Sequence, residues 1–243
     1  MASLDLNVEG LDGARRPVSL RDPVVVVAGF TARDAADAER HIDELAAIGV
    51  PRPPTIPVFY PVSNQLLAVP GGPIQVHGTQ TSGEVEPVLV EIPGSGPLVT
   101  VGSDVTDRDL ERRSIGLAKQ ICPKVVADVA WEFDEVAPIW DELRIESHVD
   151  DGQTLYQGER VALIRDPLEL LQGAREVVGQ EDRPIVVFLG TVPLRTPDFS
   201  FGERFLATLI DDRNGRRLEC SYEVEAVDGA RRGPRAERDQ GVS

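Results

Sequence analysis

The stretch Glu84-Val-Glu-Pro-Val-Leu-Val-Glu-Ile92, closed by Pro93-Gly-Ser-Gly-Pro97 and followed by Leu98-Val-Thr-Val-Gly-Ser-Asp-Val105, decides the fold. Both apolar runs are rich in β-branched residues, and the Pro and Gly between them end any regular element. They read as two neighbouring strands. Successive side chains of a strand turn to opposite faces, so Glu84 and Glu86 point the same way, with backbones roughly 6–7 Å apart. Both can reach one cation, and Asp104 at the end of the next strand can add a third oxygen. Three carboxylates with no histidine or thiolate beside them form a hard-oxygen set suited to Mg²⁺ or Mn²⁺. Taken alone, a Glu-x-Glu is more often a solvated strand face with Val85 turned inward, and a lone Asp104 is equally ordinary.

Outward from this pair, Leu4–Val8 alternates as a first strand, and Pro23–Gly29 is a buried one. Thr31, with Asp34 three residues on, caps a helix running to about Ile48. Its apolar stripe is Ala38, Ile42, Leu45 and Ile48, with Gly49 and Pro51 beyond. Pro51–Pro57 is an extended connector, Val58–Tyr60 a short strand, and 70–83 a loop. A single helix is predicted over Asp107–Ala118 and a strand over Lys124–Ala130. Arg144–Val149 and Thr154–Val161 form a hairpin. Asp166–Val177 is a helix with Pro167 in its first turn. Pro184–Leu189 is a buried strand running into Gly190-Thr191, and Glu203–Ile210 pairs with Arg217–Glu225 across Asp211–Gly215. Strands dominate and no βαβαβ cadence is present, which gives a mixed, largely antiparallel, β-rich α+β fold. One catalytic domain over residues 1–227 is expected, with a disordered tail at 228–243.

The 243 residues carry a formal net charge of −16. Phosphate binding needs a basic face, so nucleic acid and anionic membrane are poor partners. Two cysteines, Cys122 and Cys220, imply no disulfide framework. With no signal peptide and no membrane-length apolar run, a soluble cytoplasmic protein is expected. Of 25 basic residues only Lys119 and Lys124 are lysines. Lysine offers a compact ammonium on a flexible stem that can lose its proton when desolvated.

In order, Gly83-Glu-Val-Glu-Pro87, Gly102-Ser-Asp-Val-Thr-Asp-Arg-Asp109, Ala118-Lys-Gln120 and Phe188-Leu-Gly-Thr191 resemble the fumarylacetoacetate hydrolase superfamily. The resemblance spans about residues 25–225 and leans toward a bacterial domain-of-unknown-function branch, with stretches such as His41-Ile-Asp-Glu-Leu45. It implies a β-rich roll or sandwich with a few helices. It implies Glu84, Glu86 and Asp104 as metal ligands, Lys119 as the active-site lysine, and Gly190 and Thr191 as a turn closing the substrate pocket. His41 and Glu44, three apart on the first helix, match a lid-helix pair of base and orienter. Three departures stand out. The turn reads Gly190-Thr-Val-Pro193, Phe59-Tyr60-Pro61 lacks a lysine, and Asp107 replaces an alanine.

The implied activity is divalent-metal-dependent C–C hydrolysis of a small 2-oxo or 1,3-dicarbonyl carboxylic acid through a stabilised enolate. Decarboxylation, dehydration and isomerisation fit the same parts. A non-catalytic metal-binding or small-molecule-binding module is the reading from a different class. A homodimer is expected from the resemblance alone. Arg108 is a candidate for a substrate carboxylate or an ion pair with Asp104 or Asp109. Lys124 reads as structural, His77 and His148 as solvated, Cys122 as a small buried hydrophobe, and Trp131 and Trp140 as core or interface.

Overall fold

The computed structural model describes residues 2–47, 52–150, 154–180 and 182–227. In chain order the elements are β1 (Ser3–Glu9), β2 (Arg15–Arg21), β3 (Val24–Gly29), α1 (Ala35–Ala47), β4 (Val58–Val62), β5 (Leu67–Ala68), β6 (Ile74–His77), β7 (Thr81–Ser82), β8 (Val85–Glu91), β9 (Leu98–Asp104), β10 (Thr106–Asp107), α2 (Arg108–Glu111), α3 (Ile115–Gln120), β11 (Lys124–Val126), β12 (Val129–Glu132), α4 (Phe133–Val136), β13 (Arg144–Val149), β14 (Thr154–Arg160), α5 (Pro167–Val178), β15 (Ile185–Phe188), β16 (Arg204–Asp211) and β17 (Arg216–Val227).

The large sheet runs β2-β1-β12-β9-β8-β15-β3-β4, with β11 beside β9 and β5 beside β11. A second sheet runs β14-β13-β16-β17-β6. Pairing is mixed: β8 lies antiparallel to β9 and β15, while β15 lies parallel to β3. Residues Val24–Ala28 of β3 are all buried because both faces of the sheet are covered. Val24, Val26 and Ala28 join a core between the sheets, with Ile145, Phe205, Leu209 and Leu218 opposite and Leu170 and Ala174 from α5. Val25 and Val27 join a second core with Leu4, Leu6 and Leu20. Strands from opposite ends of the order share that cluster only if the sheet curls upon itself. The result is the expected α+β roll, and Trp131 and Trp140 lie in its interior. Among the described residues, no helix is long and apolar enough to cross a membrane.

Several expectations need correction. The helix predicted over Asp107–Ala118 is two short ones, because Ser114 accepts the Leu117 N–H and starts a new cap. Thr31 does not cap α1. Ala32 still bridges Ile164 in extended conformation, and Asp34 accepts the Ala36 N–H instead. The loop expected at 70–83 contains β6 and β7. In β6, Ile74 and Val76 alternate inward and pair with the end of β17. The strand expected over Lys124–Ala130 is split into β11 and β12. Edge strand β2 was not foreseen, since Arg15-Arg-Pro-Val-Ser-Leu-Arg21 is mostly exposed. In α1, Ala38 and Ile42 are buried as expected. Ile48, Gly49, Pro51 and the 228–243 tail lie outside the described residues, as does the side chain of Leu45.

Candidate metal centre

β8 and β9 carry the acidic residues to one place. They pair antiparallel with Val85 opposite Ser103, and the Asp104 N–H donates to the Glu84 carbonyl at 3.0 Å. Glu84, Glu86 and Asp104 each offer an oxygen within 4.8 Å of the others. A six-coordinate cation with bonds of about 2.1 Å sets its trans oxygens about 4.2 Å apart. The group therefore fits one small cation after modest contraction. Glu86 and Asp104 are only 2% and 0% exposed, so this is no ordinary solvated cluster.

Three cations surround the carboxylates. Lys119 pairs with Asp104 Oδ2 and stands 3.7 Å from Glu84 Oε2. Lys124 approaches Asp104 Oδ1 at 2.9 Å from the opposite side. Both lysines thus reach one aspartate, and Lys124 makes the structural pairing with the acidic cluster that its place at the start of a strand suggested. Arg108 pairs with Glu84 Oε1 at 3.2 Å and Glu111 at 2.9 Å, and donates to Ser82 at 2.7 Å. The expected partners Asp104 and Asp109 are not the ones used, because Glu111 lies one helical turn beyond Arg108. Phe199 covers the guanidinium, its ring centroid 4.2 Å away. Arg108, expected to hold a substrate carboxylate, gives Nε to Ser82 and Nη1 to Glu111, while its buried Nη2 lies 3.2 Å from Glu84 Oε1 without a hydrogen bond.

The electrostatics differ from group to group. Burial, then the Asp104 charge, pushes Glu86 well above the usual carboxyl range. Burial would raise Asp104 too, but Lys119 and Lys124 outweigh it and hold it low. Burial alone would lower Lys119, yet Asp104 and Glu84 carry it above the ordinary lysine value. These carboxylates favour the ammonium form of Lys119. Lys124 is lowered by burial and by repulsion from Lys119, against the pull of Asp104.

The turn after β15 closes one side. The Gly190 N–H donates to Glu86 Oε2 at 2.8 Å. The Thr191 hydroxyl donates to the Val85 carbonyl at 2.7 Å. Gln157 of β14, 1% exposed, ties this turn to the glutamate strand. Its amide donates to Thr191 Oγ1 at 2.7 Å and the Val192 carbonyl at 2.8 Å, and accepts the Val85 N–H at 3.0 Å. Sequence reasoning missed Gln157. Nothing local marks a buried glutamine contributed by the other sheet.

His41 and Glu44 both fall on α1, but their side chains lie outside the described residues. His77 is exposed at the end of β6, and His148 is half-buried on β13. Cys122 is buried, its thiol pushed by burial up to about 11, as a packing residue should be.

No curated protein matches the sequence. Solved structures match in fold. A 2-keto-3-deoxy-D-arabinonate dehydratase complexed with magnesium and 2,5-dioxopentanoate is 17% identical, with TM-score 0.59 over 85% of this chain and 75% of that one. A 2-hydroxyhepta-2,4-diene-1,7-dioate isomerase from Mycobacterium marinum is 18% identical, with TM-score 0.56 over 87% and 77%. A 5-carboxymethyl-2-hydroxymuconate delta-isomerase from Mycobacterium smegmatis is 17% identical, with TM-score 0.53 over 87% and 81%. The fold is thus of the fumarylacetoacetate hydrolase type, as the resemblance implied. The profile of a family described as a protein of unknown function (DUF2848) matches residues 28–222, and the chain belongs to that family.

Proposed function

We propose that the chain is a divalent-metal-dependent enzyme acting on a small 2-oxo or 1,3-dicarbonyl carboxylic acid, with Glu84, Glu86 and Asp104 holding Mg²⁺ or Mn²⁺. The observation that carries this is Glu86. It is a buried carboxyl converging with two others, yet no cation of the chain pairs with it among the described residues. A bound divalent ion would supply Lewis acidity toward a substrate's keto and carboxylate oxygens. Lys119 keeps its ammonium at the same cluster, where it stabilises negative charge growing on a substrate oxygen. His41, oriented by Glu44, acts from α1 as the base that removes a proton or activates water, with α1 serving as the lid. Gly190 and Thr191 form the substrate-side turn, and Arg108 acts through Glu84.

C–C hydrolysis is the first reading. Dehydration or isomerisation is the second, favoured by the dehydratase and isomerases that share the fold at low identity. Dehydration and isomerisation begin with loss of a proton beside a keto group, whereas C–C hydrolysis begins with attack of activated water on a carbonyl and releases the enolate as the carbon–carbon bond breaks. The test is turnover of acylpyruvates, oxaloacetate and sugar-derived 2-oxo acids with Mg²⁺ or Mn²⁺, by wild type, Lys119→Arg and His41→Ala. Turnover lost in both variants, with metal affinity kept, supports the enzyme. A wild type that binds metal but turns over none of these acids points to the non-catalytic binding module.

A further inference from the structure

We infer that Tyr60 is a specificity-determining residue of this centre. Its phenol donates a hydrogen bond to a second oxygen of the substrate, at the end of the acid remote from the oxygens that would chelate the cation. The inference rests on the metal-dependent reading above and deepens it.

Strand register sets the position. Val88, Phe188, Val27 and Tyr60 stand in one row across β8, β15, β3 and β4. The first three are buried in the core inside the curled sheet, and Tyr60 packs against it. Alternation puts Glu86, two residues before Val88, on that same inner face, and Gly29, two residues after Val27, level with Glu86. The Tyr60 ring leans to this level: a β-carbon on Gly29 would fall 3.0 Å from its Cε2. Its other edge faces α3, where a β-carbon on Gly116 would fall 3.6 Å from Cδ1. Two glycines thus hold the ring by both edges and fix where the hydroxyl points. Lys119 follows Gly116 by one helical turn, on the same flank of α3. Burial raises the phenol pKa most, while Lys119 lowers it and Glu111 raises it, so the hydroxyl lies within reach of both charges and keeps its proton at neutral pH. Tyr60 is half-buried, and among the described residues no group hydrogen-bonds its hydroxyl. It is a donor with nothing to donate to. β8 and β4 are three strand spacings apart, about 14 Å on a flat sheet and less on a curled one. Glu86 and Tyr60 therefore bracket a ligand from two sides. An acid held at the carboxylates meets Tyr60 with its far end rather than with its chelating oxygens.

The test is calorimetric titration of the full chain in MnCl₂, wild type and Tyr60→Phe, with N-(2-hydroxyethyl)oxamate and N-propyloxamate. Both probes carry the vicinal oxygens of a 2-oxo acid and no carbon–carbon bond that the enzyme could cleave. They match in length and differ only in a terminal hydroxyl. Phenylalanine keeps the ring between its glycines, and the hydroxyl it removes has no protein partner, so Tm and Mn²⁺ affinity should stay at the wild-type value. Wild type should prefer the hydroxyethyl probe, and Tyr60→Phe should cut that preference about tenfold by weakening this probe alone. The phenol absorbance of wild type should shift when the hydroxyethyl probe binds, and Tyr60→Phe should lose that shift. The same preference in both proteins, or a shift that survives in Tyr60→Phe, overturns this inference alone. A wild type that binds neither probe in MnCl₂ overturns the reading as an enzyme of 2-oxo acids, and this inference with it.

Discussion

Thr31 and Gly190 meet where the segment before α1 crosses the turn after β15: a β-carbon on Gly190 would fall 1.9 Å from Thr31 Oγ1. Gly190 also holds φ at +95°, where a side chain is strained even in open space. Both facts keep the turn close enough for its N–H to reach Glu86. Gly190→Ala is therefore expected to cost at least about 1–3 kcal/mol and to weaken divalent binding. Calorimetric unfolding with an unchanged Tm would refute the close packing.

Glu84 supplies one of three converging oxygens, and its loss still leaves Arg108 paired with Glu111 and bonded to Ser82. Glu84→Ala should fold. Its Mn²⁺ affinity should fall by more than the roughly 10- to 100-fold seen when an outer partner of a metal ligand is lost. Titration calorimetry showing wild-type affinity would remove Glu84 from the site.

Glu86 makes the metal-free protein sensitive to pH. Its folded pKa is raised, first by burial and then by Asp104, so the folded chain binds that proton more tightly than the unfolded chain. Stability must then fall as pH climbs from the ordinary carboxylate range through the raised value. In chelator, Tm should decline toward neutral pH, and Glu86→Gln should flatten the decline. Asp104 has the opposite sign. Its lowered pKa gives stability that is lost only as pH falls through it, below that window. Parallel Tm-versus-pH curves for wild type and Glu86→Gln would contradict this assignment.

Gln157 satisfies the Val85 N–H and the Val192 carbonyl, both inside the fold. Gln157→Leu keeps the approximate volume but leaves those groups unpaired, at about 1–3 kcal/mol each. Chemical denaturation should show a loss of that order, with weaker Mn²⁺ binding because the glutamate strand loses its tie to the turn. A neutral substitution would mean the network does not hold the strand.

Cys122 and Cys220 are buried, and burial raises both thiols. Thiolate is the reactive form, so iodoacetamide at mildly alkaline pH should label neither in the native chain and both after unfolding. Rapid native labelling of Cys122 would argue for an accessible, activated thiol.

Strand periodicity exposed the centre's core in the sequence. Glu84 and Glu86 share a face because the strand repeat is local, and Asp104 follows from the next strand's length. The hairpins around residues 150 and 211 were legible for the same reason. The helix break at Ser114 was not, because a cap hydrogen bond competes with an otherwise continuous apolar pattern. Edge strand β2 was hidden because it buries so little that no alternation marks it. Thr31 was misread because its capping chemistry was genuine but the chain there is held extended against Ile164.

By itself the sequence determined the carboxylate cluster's residue types, the shared strand face of Glu84 and Glu86, and the β-rich class, all consequences of side-chain chemistry and a two-residue period. Only the tertiary structure decided that both lysines converge on Asp104, that Arg108 belongs to Glu84, and that Gln157 and Gly190 come from distant strands to frame the glutamates. The partners of a buried carboxyl are set by strand register and sheet packing, across separations such as the 104 residues between Gly190 and Glu86. No local pattern in the chain encodes which donor will arrive.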